Sequence, residues 1–179
     1  MALSCPLYAV DDLERFPDDG SRYELLDGVL LVTPAPNQLH QIIAARLIVR
    51  LTLDLASDGM RVTGPGVIQQ MPRTQLEPDV LAYPARWPAN SPWTAITEHW
   101  LAVEISSRSS KIYDREFKRG AYLALGVHEV WLVDADERTI ETSSATRTTE
   151  VHRDRVSLVV PEIGREVVIE LDALFEGIE

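Results

Sequence analysis

The chain has 179 residues, 45% of them hydrophobic and 25% charged, enough for one domain with a buried core and no need of disulfides or structural metals. A net charge of -11 argues against electrostatic binding of nucleic acid by the chain as a whole, so any such binding needs locally placed positive charge. No apolar run approaches a membrane span, Met1-Ala-Leu-Ser-Cys5 has no basic region ahead of an apolar stretch, and Cys5 has no second cysteine to pair with. These features predict a cytoplasmic protein without a membrane partner.

Val10 to Phe16 reads as a short helix ended by Pro17 and the Asp18-Asp19-Gly20 turn. Tyr23-Glu24-Leu25-Leu26 and Val29-Leu30-Leu31-Val32 flank Asp27-Gly28, a pair that tolerates the positive φ angles of a two-residue hairpin turn. Asn37 can cap a helix running roughly to Ala56, with Leu39, Ile43, Leu47, Leu51 and Leu55 at helical spacing as its core face. Extended segments follow around Gly66 to Met71 and Asp79 to Tyr83, separated by a polar turn near Arg73-Thr74-Gln75. Residues 84–99, with three prolines and two tryptophans, read as a loop. Trp87 and Trp93 there are expected to pack within the loop or at an interface rather than to stack on bases.

Trp100 to Ile105 is a nearly continuous apolar run, the pattern of a strand buried on both faces. A helix from about Asp114 to Leu125 should end at Gly126, followed by a strand over Glu129 to Val133 that stops at Asp134. Short strands at Thr139–Thr142, Val156–Val160 and Val167–Glu170 and a helical turn at Leu171–Phe175 complete an α/β chain with a β-rich C-terminal part.

Glu104 is the most informative residue, because an ionised carboxylate inside an apolar strand is costly by several kcal/mol unless compensated. A metal, a basic partner or a position at the end of the sheet would each compensate it. Asp79, directly after Pro78, opens another strand, since proline cannot donate a ladder hydrogen bond. Taken alone it would be a turn or capping residue. Two carboxylates on neighbouring strands together can supply the oxygen ligands that Mg²⁺ or Mn²⁺ prefers. Asp114 and Lys118 stand four apart on one helical row that Tyr122 continues, the spacing of a surface pair. Of 17 basic residues only Lys111 and Lys118 are lysines, which fits a place where a compact ammonium rather than a guanidinium fork is wanted. Tyr122 and Trp131 read as core.

The ordered set Pro78-Asp79, Val103-Glu104-Ile105-Ser106, Asp114-x-x-x-Lys118-x-x-x-Tyr122 and Gly126-Val-x-Glu129-Val-Trp131-Leu-Val-Asp134 resembles the Uma2 family, within the PD-(D/E)XK, restriction-endonuclease-like superfamily. Tyr23-Glu-Leu-Leu-Asp-Gly28 and His40-Gln41 match its N-terminal signature, so the resemblance spans Tyr23 to Asp134. It implies a mixed central sheet flanked by helices, with Asp79, Glu104 and the Ile105 backbone carbonyl holding Mg²⁺ or Mn²⁺ and Lys118 beside them. In the wider superfamily the lysine lies two residues after the second acid; here that place is Ser106, and Lys118 on the following helix fills the role instead. Asp114 would steady Lys118 or simply serve as a helix N-terminal acid. Glu24 is an outer ligand or an outward strand residue, and His40 and Gln41 line the site or sit at the surface.

The chemistry implied is metal-dependent endonucleolytic hydrolysis of DNA, with RNA as a possible substrate, by a homodimer. Between 108 and 119, five basic residues (Arg108, Lys111, Arg115, Lys118, Arg119) oppose Asp114 and Glu116, a local net charge of +3 that suits a phosphate-facing edge or a solvated helix face. The competing readings are a catalytically silent nuclease-fold module that binds a partner or itself, and a hydrolase of RNA or another phosphoester.

Overall fold

The computed structural model describes residues 6–55, 59–106, 117–160 and 163–178. After a 3-10 helix at Val10–Arg15, the expected hairpin forms from β1 (Arg22–Leu26) and β2 (Val29–Thr33). Asp27 and Gly28 take φ of 51° and 84°, the double positive-φ turn that matches strand twist. Helix α1 (Gln38–Leu55) starts where the Asn37 carboxamide accepts the His40 N–H at 2.9 Å. It buries Ile43, Leu47, Leu51 and Leu55, each stabilising the fold by about 1.5–3 kcal/mol before entropy.

Next come β3 (Met60–Thr63), β4 (Ile68–Gln70), β5 (Thr74–Leu76) and β6 (Val80–Pro84). The polar turn is confined to residues 71–73. Thr74 and Gln75, expected in that turn, belong to β5, where Thr74 and Leu76 alternate into the interior. Strand β7 (Leu101–Ser106) is buried at all six positions, as the apolar run predicted. Helix α2 (Arg119–Ala124) follows a π turn at Phe117 and Lys118. Gly126 ends it: the Gly126 and Val127 N–H groups donate to the carbonyls of Leu123 and Tyr122, a Schellman pairing. The chain continues through β8 (Glu129–Asp134), β9 (Thr139–Ser144), β10 (Glu150–His152), β11 (Arg155–Val159), β12 (Glu166–Glu170) and α3 (Leu171–Leu174).

The central sheet is six-stranded in the order β10-β9-β8-β7-β6-β3, mixed because β7 and β8 run parallel while its other pairs are antiparallel. A parallel pair needs a crossover, and α2 lies within it. A four-stranded sheet, β2-β1-β5-β4, and the β11-β12 pair complete the strands. Alternation divides the core in two. Leu101, Val103 and Ile105 of β7 join Leu47, Leu51, Val156 and Ile169 on one face, whereas Ala102 joins Leu76, Leu81, Tyr122 and Leu132 on the other. No helix among the described residues is long and apolar enough to cross a membrane.

Candidate active site

Strand β6 enters the sheet one residue after Asp79. The antiparallel register Val80↔Val103, continued by one step, sets Asp79 opposite Glu104. Residues opposite each other in such a pair share a face, and for Glu104 this is the face of Ala102, Tyr122 and Leu132. The backbone at Asp79 is closely packed: a Cβ on Gly64 would fall 2.5 Å from the Asp79 carbonyl oxygen and 2.6 Å from Ile48 Cδ1. Glycine at 64 is therefore what lets the preceding segment lie against this strand start.

Four charged side chains meet there with almost no exposure: Glu24 at 0%, Asp79 at 5%, Glu104 at 3% and Lys118 at 3%. Such burial requires mutual compensation. Lys118 Nζ lies 2.6 Å from Glu24 Oε2 and 3.2 Å from Glu104 Oε1. The Tyr122 hydroxyl, one turn along α2, donates to Glu104 Oε1 at 2.5 Å. Burial, then the nearby Glu104 and Glu24, push the Tyr122 phenol well above its ordinary pKa, so it stays a donor. Glu24 accepts the Glu77 N–H through Oε1 at 2.7 Å.

Asp79 is held from three sides. Arg22 donates to Oδ1 at 2.8 Å, and Oδ2 accepts both His40 Nε2–H at 2.9 Å and the Ile105 N–H at 2.8 Å. Because a carboxylate only accepts, His40 carries its proton on Nε2 in this contact. Burial alone would raise the Asp79 pKa, but His40, Arg22 and the Ile105 amide outweigh it and hold the carboxyl below its ordinary value. Burial is the largest single influence on Arg22 and lowers its pKa, but Asp79, Glu104 and Glu24 together outweigh it for a net upward shift. It also donates to the Glu77 carbonyl at 2.9 Å. Burial and the neighbouring Glu24 raise the Glu77 carboxyl.

Asp79, Glu104, Lys118, Glu24 and His40 are thus brought together. Lys118 sits in the π turn that leads into α2 rather than on β7, yet its four-carbon stem carries the ammonium back to Glu104. Ile105 presents its N–H to Asp79, and since the N–H and C=O of a strand residue face the same neighbour, its carbonyl is turned to the same side. Ser106 is buried at the end of β7, and Gln41 is exposed on α1. The Arg119 guanidinium pairs with Glu141. Arg108, Lys111, Asp114 and Arg115 lie outside the described residues. Trp93 packs edge-on against Tyr83 of β6 and Arg86 covers Trp87 at 4.5 Å, and both tryptophans lie against the apolar cluster that holds Ile68, Tyr83 and Ile96.

Sequence reasoning missed Arg22 and gave Tyr122 to the core alone. The signal for Arg22 was its spacing: residues 22 and 24 share one face of β1, so the strand that presents Glu24 presents Arg22 beside it. Tyr122 is fully buried, as read, but its hydroxyl serves Glu104.

The donor set fits a hard divalent cation by its chemistry. Glu24, Asp79 and Glu104 bring three carboxylates to the cluster, and Arg22 and Lys118 face them with positive charge. No group of three or more His, Cys, Asp or Glu side chains among the described residues forms a ready metal cage. Asp79 and Glu104 would suit a cation that keeps much of its water and takes two carboxylates, the manner of Mg²⁺.

The family model for Uma2, described as "Putative restriction endonuclease", matches residues 10–172. Among solved structures, a "putative nuclease belonging to DUF820" from Anabaena variabilis ATCC 29413 superposes with a TM-score of 0.77. That alignment covers 94% of this chain and 97% of the other at 18% sequence identity, a likeness of fold. No curated protein shows significant similarity to the chain.

Proposed function

The chain belongs to the Uma2 family, and on that premise we propose that it is a divalent-metal-dependent endonuclease that hydrolyses DNA phosphodiester bonds. The observation that carries this reading is the buried ammonium of Lys118, shared between Glu24 and Glu104 although it arrives from a helix rather than from the acid's own strand. Asp79, Glu104 and the Ile105 carbonyl are the groups that would hold Mg²⁺ or Mn²⁺. Once bound, the ion supplies a water of lowered pKa and offsets charge on the phosphoryl oxygens.

The protein's own residues do the rest. Tyr122 and Lys118 fix the Glu104 carboxylate from two directions, so it need not reorganise during reaction. Arg22, His40 and the Ile105 amide do the same for Asp79. Lys118 places a positive charge where the attacking water and the developing phosphorane would lie. The burial of all four groups excludes bulk water and strengthens each electrostatic contact. Cutting both strands of a duplex calls for two such sites, hence a homodimer.

Plasmid cleavage tests the reading. The wild type is expected to cut with Mg²⁺ or Mn²⁺ and to stop in EDTA. Asp79→Ala and Glu104→Ala should abolish cutting, and Lys118→Ala should slow it about 10²–10³-fold. Equal cutting by wild type and Glu104→Ala would overturn it. A second reading, a silent nuclease-fold module, draws on one observation: Asp79 already accepts three hydrogen bonds. Metal binding lost in Asp79→Ala counts against that reading. An RNA and phosphoester panel at fixed salt separates the remaining substrate classes.

A further inference from the structure

Of the two cations in the acid cluster, solvent reaches Arg22 more readily: its side chain is 20% exposed, against 4% for Lys118. A guanidinium carries five N–H donors in a planar fork, one on Nε and two on each terminal nitrogen. Nη1 spends its two, on the Glu77 carbonyl at 2.9 Å and on Asp79 Oδ1 at 2.8 Å. The other three, on Nε and Nη2, have no acceptor within hydrogen-bond distance among the described residues. Glu77 Oε2 stands 4.0 Å from Nε, and Gln75 donates to the other oxygen of that carboxylate at 3.1 Å. Holding Asp79 therefore uses only one of the five donors of Arg22.

The unspent donors define what they would bind. An Nε–H and an Nη2–H lie side by side on one edge of the fork and match two oxygens of a phosphate, a bidentate fit that lysine cannot give. Asp79 places that edge beside the reaction. Its Oδ2 already accepts two hydrogen bonds, so Oδ1, with a lone pair left after Arg22, is the oxygen open to a cation. Arg22 adjoins that oxygen. The carboxylates of Glu24, Asp79 and Glu104 repel a phosphate, and a positive charge on the exposed side of the cluster offsets that repulsion. We propose that Arg22 binds the scissile phosphodiester, its Nε–H and Nη2–H donating to the non-bridging oxygens while Nη1 keeps hold of Asp79. This deepens the hydrolytic reading above and rests on it.

The salt dependence of DNA binding separates a phosphate contact from a merely structural role. Fluorescence anisotropy would follow a labelled duplex oligonucleotide in Ca²⁺ buffer over a series of salt concentrations, for wild type, Arg22→Gln and Arg22→Lys, with Mn²⁺ calorimetry and plasmid cleavage on each. Arg22→Gln should lower the slope of log K against log salt by about 0.9, the share of one phosphate, and slow cleavage about 10²–10³-fold. Arg22→Lys keeps the charge and loses the fork, so it should restore the slope without restoring the full rate. Mn²⁺ should bind Arg22→Gln at least as tightly as wild type, because a neighbouring positive charge has gone. An unchanged slope in Arg22→Gln, or wild-type binding indifferent to salt, overturns the inference. Loss of Mn²⁺ binding in Arg22→Gln overturns it as well, since Arg22 would then serve to hold Asp79. A lowered slope in Arg22→Gln with no cleavage by wild type would instead overturn the hydrolytic reading alone.

Discussion

The two faces of strand β7 follow opposite rules. Leu101, Val103 and Ile105 face α1 and the β11-β12 pair in a dry apolar cluster, where every contact serves stability. One residue out of phase, Glu104 faces Lys118, Tyr122 and, across the strand boundary, Asp79. Burying charge in this way is weak evidence for stability, since apolar residues of similar size commonly do as well or better. The contrast teaches that one face of β7 is apolar throughout, whereas the other sets a buried carboxylate cluster beside its own apolar residues.

Substitutions can break or sharpen that contrast. The largest stability loss should come from Lys118→Met, which leaves Glu24 and Glu104 buried without their cation, at about 3–5 kcal/mol in urea titration. Adding Glu24→Leu and Glu104→Leu should return much of that loss while leaving the protein inactive; continued instability would mean the charged face is needed to fold. On the apolar face, Leu47→Ala should destabilise by about 2–5 kcal/mol with cleavage per folded molecule unchanged. Tyr122→Phe removes one hydrogen bond to a charged acceptor and should destabilise by about 1.5–3 kcal/mol, with a loss of activity that Leu47→Ala does not show.

The smallest effect is on pH dependence. Asp79 titrates below its ordinary value of 3.8 in the folded protein. The folded state thus binds that proton less readily than the unfolded chain. Its contribution to stability is complete above about pH 4 and is lost as pH falls through the lower folded pKa. Acid titration of Asp79→Asn should therefore give a flatter stability profile in that range than wild type. Identical slopes would show that His40, Arg22 and the Ile105 amide do not stabilise the carboxylate.

Much of this was legible from residues. The Asp27-Gly28 hairpin, the 3.6-residue stripe of α1, the apolar run of β7 and the Gly126 stop each rest on local chemistry, and each formed as read. Strands β3 and β10 were not legible, because Met60–Thr63 and Glu150–His152 are short edge strands whose pairing comes from distant neighbours, β6 and β9. At the site, Glu104 and Asp79 announced themselves through the cost of their surroundings. The reach of Lys118 did not: four-residue spacing on a helix describes a surface pair as well as a buried one, and only the packing of α2 against β8, with its leading turn over the glutamates, brings the ammonium to both. Arg22 escaped notice because an arginine at the edge of a strand is ordinary until its partner is known to be buried.

Titration of Mn²⁺ by calorimetry into wild type, Asp79→Ala and Glu104→Ala asks most directly whether the charged face exists to hold a cation. The account predicts a binding isotherm in wild type that disappears in both variants while their folded spectra persist. A wild type that takes up no Mn²⁺, or variants that bind it as tightly as wild type does, would contradict it.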